Sequence, residues 1–155
     1  MLDTPLKRSD LITFFALPEG RDGCPPDPRP LSRILKDLGI PLRGGSTCWP
    51  VVWRALGLAE DQDPAHHADL TAPLMTAGQV AARLEVSPSI IYRWCKGHLP
   101  ADTPPFPPVI DLSGGRKAPG AKRWRRAEVI SWHERQPLPG YARPAPAFGS
   151  IRPAP

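Results

Sequence analysis

Apolar side chains return at helical spacing in several stretches of the chain. Leu11, Ile12 and Phe15 mark one face of a helix near Arg8–Leu17, and Leu31, Ile34, Leu35 and Leu38 mark another near Leu31–Leu38. A third stretch, Trp49–Leu56, is apolar apart from Arg54 and carries Pro50 where a first helical turn tolerates it. In the second half, Thr76-Ala77-Gly78-Gln79 has the form of a capping box, and Val80, Ala81 and Leu84 follow on one helical face. Ser87-Pro88 restarts a helix after a break of only a few residues, because serine caps and proline needs no N–H at the first position. Two short helices joined so tightly cross steeply, which is the helix-turn-helix arrangement. Ile91 and Trp94 are expected to pack on Val80 and Leu84, with Val86 filling the turn and Gly97 ending the helix. Val109–Leu112 then alternates like a strand, Ser113-Gly114-Gly115 begins a turn, and Lys122–Arg125 returns as the partner strand. A last helix is predicted from Arg126 to Gln136, with Val129, Ile130 and Trp132 inward and Trp124 anchoring its entry.

Prolines divide these elements. The chain has 23 of them, about three times the usual share of roughly 5%, and they cluster at residues 25–30, at 104–108 and beyond Gln136. Together with the polar stretch Glu60–His67 they predict four segments: a small helical lobe (1–59), a linker (60–73), the helix-turn-helix domain (74–136) and a Pro/Ala-rich, disordered tail (137–155).

Charge locates the chemistry. Residues 1–75 hold 8 basic and 10 acidic side chains, whereas residues 76–135 hold 10 basic and 5 acidic. Six cations, Arg116, Lys117, Lys122, Arg123, Arg125 and Arg126, fall in a run that contains no acid. Such a segment suits a polyanion. On the second helix of the pair, Ser87, Ser89, Tyr92, Arg93 and Lys96 are expected to face outward toward base edges and phosphates of a major groove. On the hairpin, Arg116, Lys117, Lys122, Arg123 and Arg125 are expected to hold the adjacent phosphate backbone.

The run Thr76-Ala-Gly-Gln-Val-Ala-Ala-Arg-Leu-Glu-Val-Ser-Pro-Ser-Ile-Ile-Tyr-Arg-Trp-Cys-Lys-Gly97, followed by Lys122-Arg-Trp-Arg-Arg-Ala-Glu-Val-Ile-Ser-Trp132, resembles the excisionase and AlpA-type branch of the MerR-like winged helix-turn-helix superfamily. The resemblance covers residues 74–136. It implies a mainly α fold with a small β-hairpin and a sequence-specific binder of double-stranded DNA from a prophage or mobile element. Such a protein regulates transcription, acts as an excisionase (a recombination directionality factor), or does both. Two other roles fit the same domain: the DNA-recognition subunit of phage packaging, as in terminase small subunits, and a protein-binding antagonist of a recombinase or polymerase. The expected partners are double-stranded DNA, a recombinase or RNA polymerase, and further copies of the chain as a homodimer or cooperative array on DNA. The proline-rich insertion at 102–108 and the long hairpin depart from the family pattern and leave the path of the wing open.

The first half has two readings. Ile40-Pro41-Leu42-Arg43-Gly44-Gly45 followed by a tryptophan-bearing helix echoes Ile110-Asp111-Leu112-Ser113-Gly114-Gly115 followed by Trp124, so the chain is either two tandem winged-helix lobes or one with an unrelated helical partner. The acidic balance of the first lobe points to packing or protein contacts there. Cys24, Cys48 and Cys95 read as free thiols, and Cys24 and Cys48 with His66 and His67 lack the close ligand spacing of a structural zinc site. No phosphate-cradling glycine motif and no nucleophile or metalloprotease signature occurs, so the expectation is a binder without a cofactor, not an enzyme. The absence of an apolar leader or a long apolar run leads to an expected location in the bacterial cytoplasm, at the nucleoid, with no membrane partner.

Overall fold

The computed structural model describes residues 4–20, 23–116 and 119–141. Among these the fold is mixed α/β, with seven α-helices and two small antiparallel sheets. No helix among them is long and apolar enough to cross a membrane.

Both halves are built in the same order. In the first, strand β1 (Leu6–Lys7) leads into α1 (Arg8–Phe14), then α2 (Pro28–Leu38), a hairpin ending in β2 (Ser46–Thr47), and α3 (Trp49–Ala55). After a 3₁₀ turn (Pro64–His66) and α4 (His67–Thr71), the order recurs. Strand β3 (Met75–Thr76) leads into α5 (Ala77–Leu84), α6 (Pro88–Cys95), the hairpin β4 (Ile110–Asp111) and β5 (Lys122–Trp124), and α7 (Arg126–His133). The pairings repeat as well. The leading strand of each half lies antiparallel to the returning hairpin strand, Leu6 opposite Thr47 and Met75 opposite Trp124. The first hairpin turns directly on Gly44-Gly45 (φ 62° and 82°), with Arg43 and Ser46 bonded across it, whereas Gly114-Gly115 (φ 64° and 87°) forms a local turn at the start of the longer β4–β5 connection.

Local chemistry accounts for the helix boundaries. Thr76 Oγ1 accepts from Gln79 N–H at 3.2 Å while Gln79 Oε1 accepts from Thr76 N–H at 3.0 Å, a closed capping box. Asp27 accepts from Arg29 N–H at 3.0 Å, Pro28 occupies the first position of α2, and Gly39 ends it with φ 72°. Between α5 and α6, Glu85 alone turns the chain in the left-handed region (φ 58°). Ser87 takes the N-cap position of α6, but its hydroxyl pairs with Ser89 Oγ at 2.9 Å instead of capping the backbone as expected.

Each half buries its own core. The first gathers Leu11, Phe15, Leu31, Val52 and Trp53, all fully buried, around α1, α2 and α3. The second gathers Val80, Ile91, Trp124 and Val129. The proline-rich insertion contributes to that second core. Phe106 is buried with its ring centroid 4.9 Å from Trp132 and 5.8 Å from Trp94, and Trp132 Nε1 donates to Pro104 O at 3.0 Å.

Two segments differ from expectation. Residues 60–73 are folded: Leu70 enters the first core, Trp53 Nε1 donates to Leu70 O at 3.2 Å, and the His67 ring sits 5.4 Å from Trp53. Buried Trp53 needs an acceptor for its indole N–H, and this segment supplies it. Of the expected tail, residues 142–155 lie outside the described residues, but Tyr141 is buried in the first core, with its ring 5.4 Å from His66 and under the Arg125 guanidinium at 6.0 Å.

Candidate nucleic-acid interface

The helix pair positions a polar, cationic face. Fully buried Val80 on α5 and Ile91 on α6 set the roll of the two helices, and the short connection Glu85–Ser87 leaves α6 no freedom to separate. Rolled this way, α6 exposes Ser87, Ser89, Arg93 and Lys96 together. Arg93 and Lys96 are i,i+3 neighbours, and Ser89 lies one turn before Arg93, so the four form one hydrogen-bonding and cationic strip. Tyr92 departs from expectation: it is half-buried against the second core, because the strand pair covers that side of α6.

The hairpin differs more. Arg123, expected to meet phosphates, is 5% exposed. Its guanidinium is a bridge between the two lobes: Nε donates to Phe15 O at 2.8 Å and Nη2 to Ala16 O at 3.3 Å, while Nη1 donates to Gly120 O at 2.6 Å and Lys122 O at 3.0 Å. Burial pulls its pKa below the usual arginine range, and nearby Tyr92 acts in the opposite sense. Arg125 is also buried, 3.6 Å from the carboxylate of Glu128, which is itself buried. Arg123, on β5, is covered by the first lobe at Phe15 and Ala16, whereas Arg125, at the N-cap of α7, is covered by Glu128 and the Tyr141 ring.

The remaining hairpin cations are engaged or outside view. Arg116 is exposed, but its Nη1 meets Asp37 Oδ2 on α2 at 2.9 Å. Gly114 lies so close to Asp37 that a Cβ there would collide with the carboxylate. Lys122 is half-buried and acts electrostatically on Asp111, its partner in the strand register, and on Cys95. Lys117 lies outside the described residues. Asp111 is held below the usual carboxylate range chiefly by hydrogen bonds from Ser113, which fix the hairpin's start. Leu112 belongs to the first core, and Ile110 and Ala121 pack on it. The hairpin is therefore a seam between lobes, reinforced where Leu74 N–H donates to Phe14 O at 2.9 Å.

Glu128 is the residue that sequence reasoning passed over. The Arg125–Glu128 spacing was a usable signal, since i,i+3 charge pairs at the start of a helix commonly meet. Among the described residues no group of three metal-ligating side chains converges. Cys95 lies on α6 between the cationic strip and the core; partial burial raises its thiol pKa, against the opposing effects of a hydrogen bond with Trp124 and the Lys122 charge. Compared with protein families, with curated proteins and with solved structures, the chain finds no match in any of the three.

Proposed function

We propose that this protein is a sequence-specific binder of double-stranded DNA that uses α5 and α6 as a helix-turn-helix with the β4–β5 hairpin in the position of a wing. The observation that carries the reading is the exposed strip Ser87, Ser89, Arg93 and Lys96 on a helix locked to its neighbour by a short turn. A major groove admits one α-helix, and arginine, lysine and serine on its outer face offer donors to guanine edges and phosphate oxygens. Affinity comes from α6 more than from the hairpin, whose arginines are spent on protein carbonyls and carboxylates. The biological role that fits such a domain is regulation of transcription or of excision in a prophage or mobile element, at the nucleoid. A recombinase or RNA polymerase is the protein partner of such a role.

Footprinting the duplex that flanks the protein's own gene tests the function. Repeats protected near an attachment site indicate excision, protection over a promoter indicates regulation, and no protection removes the reading. Arg93→Ala tests the mechanism. It is expected to cost about 1–3 kcal/mol on the specific site and to reduce the preference over random DNA. Unchanged discrimination by Arg93→Ala, measured by competition binding, would show that α6 does not read bases.

A further inference from the structure

We propose that the first lobe carries a second DNA-contacting helix, α2, so that one chain engages two segments of duplex through Arg33 and Lys36 on α2 and Arg93 and Lys96 on α6. The inference rests on the reading of α6 above and extends it to the acidic half of the chain.

The two lobes repeat at the level of single residues. Counted in step from Leu6 and Met75, Asp10 Oδ2 accepts from Lys7 N–H at 2.9 Å where Gln79 Oε1 accepts from Thr76 N–H at 3.0 Å. Leu11 and Val80 are both fully buried. Ala16 and Glu85 both take the left-handed conformation, at φ 54° and 58°. The next residues, Leu17 and Val86, then donate back to Ile12 O at 3.0 Å and Ala81 O at 2.9 Å. After a connection that is longer in the first lobe, the repeat resumes. Asp27 and Ser87 occupy the N-cap positions, Pro28 and Pro88 the first helical positions, and Leu31 and Ile91 are both fully buried. Counted in step from there, Arg33 coincides with Arg93 and Lys36 with Lys96, and all four are exposed.

Helical spacing puts Arg33 and Lys36 on one face of α2, beside Arg29, whose charge is taken up by Asp27. The acids of that helix do not cancel this face. Asp27 is engaged by Arg29, and Asp37 by Arg116 from the other lobe. The acidic total of the first lobe therefore hides two exposed cations, Arg33 and Lys36, on α2. A duplex is the occupant that suits two equivalent cationic helices held by one rigid seam. Once α6 is seated, engagement of α2 is intramolecular and gains from effective concentration.

The test uses the full chain and compares Arg33→Ala/Lys36→Ala with Arg93→Ala/Lys96→Ala in salt titrations of binding to a long duplex, with footprints of each. Arg54→Ala, which removes an exposed cation of the first lobe on α3, serves as the charge control, and melting curves establish that the variants fold. The expected result is that either double variant lowers the salt slope by roughly two units, because each phosphate contact contributes about 0.9. The expected footprint of Arg33→Ala/Lys36→Ala loses one protected segment, and Arg54→Ala changes neither slope nor footprint. If Arg33→Ala/Lys36→Ala binds like wild type while Arg93→Ala/Lys96→Ala is impaired, the second helix is refuted and the function of α6 stands. An equal effect of Arg54→Ala refutes it too, since any charge would then serve. Failure of the wild-type chain to bind duplex overturns both readings.

Discussion

Arg123 separates two roles for the basic hairpin, and its substitution is the most decisive single change. Two of its four carbonyl acceptors, Phe15 O and Ala16 O, belong to the first lobe. A hydrogen bond from a charged donor contributes about 1.5–3 kcal/mol, and a buried acceptor left without a donor costs about 1–3 kcal/mol. Removing the guanidinium also returns the desolvation energy that depresses its pKa. The 3.3 Å bond to Ala16 is weak beside the 2.8 Å bond to Phe15. With these offsets, Arg123→Ala is expected to lose about 2–4 kcal/mol of folding stability. For a chain of this size that corresponds to a fall in Tm of roughly 5–15 °C. Arg123→Lys keeps the charge but not the planar fork that reaches both lobes, so it is expected to recover only part of the loss. Urea titrations followed by circular dichroism and by tryptophan fluorescence measure this, because each core holds tryptophans. A phosphate-binding arginine gives the opposite pattern: little change in stability, a salt slope smaller by about one unit, and near-complete rescue by lysine. Stability within about 0.5 kcal/mol of wild type, joined to that change in slope, would refute the seam.

Two further outcomes follow from the second core and from α6. Phe106→Ala is expected to cost about 3–5 kcal/mol, measured by chemical denaturation, because the ring fills space between Trp94, Trp124 and Trp132; a loss under about 1 kcal/mol would mean that the insertion is not part of the core. In the native protein, maleimide at neutral pH is expected to label exposed Cys24 quickly and Cys95 slowly, since burial keeps the Cys95 thiol protonated. Peptide mapping gives the order, and faster labelling of Cys95 would contradict its placement.

What was legible in the sequence was what neighbours in the chain decide. The Thr76–Gln79 box, the Ser87-Pro88 start and the apolar face of α5 and α6 depend on spacings of one to four residues, and each forms as expected except for the Ser87 hydroxyl. The Gly-Gly echo between residues 40–45 and 110–115 was visible for the same reason, and both pairs take positive φ. What was not legible depends on a surface supplied from far along the chain. Nothing near Arg123 in sequence shows that one face of its strand will be covered by Phe15 and Ala16. Nor does a single Leu70 in a polar stretch show that Trp53 needs its carbonyl. The helix echo was obscured because only half of the box recurs, Asp10 accepting from Lys7 N–H as Gln79 accepts from Thr76 N–H, and because the longer connection before α2 breaks the register.

The burial of the hairpin changes what the positive half of the chain is for. Counted as charge, residues 116–126 look like the strongest attraction for a polyanion, yet Arg123 and Arg125 are buried and Arg116 is ion-paired. Arg123 and Arg116 hold one lobe against the other, and Arg125 pairs with Glu128 within the second lobe. That investment has a consequence for recognition, since a single helix reads few base pairs and specificity ordinarily needs a second copy. On the proposed reading, the seam between two repeated lobes supplies the second copy within one chain and sets the spacing between α2 and α6 in advance. Loosening the seam with Arg123→Lys should therefore weaken binding to a site contacted by both helices more than binding to a short duplex that admits α6 alone. Equal losses on long and short duplexes would mean that the lobes act independently on DNA.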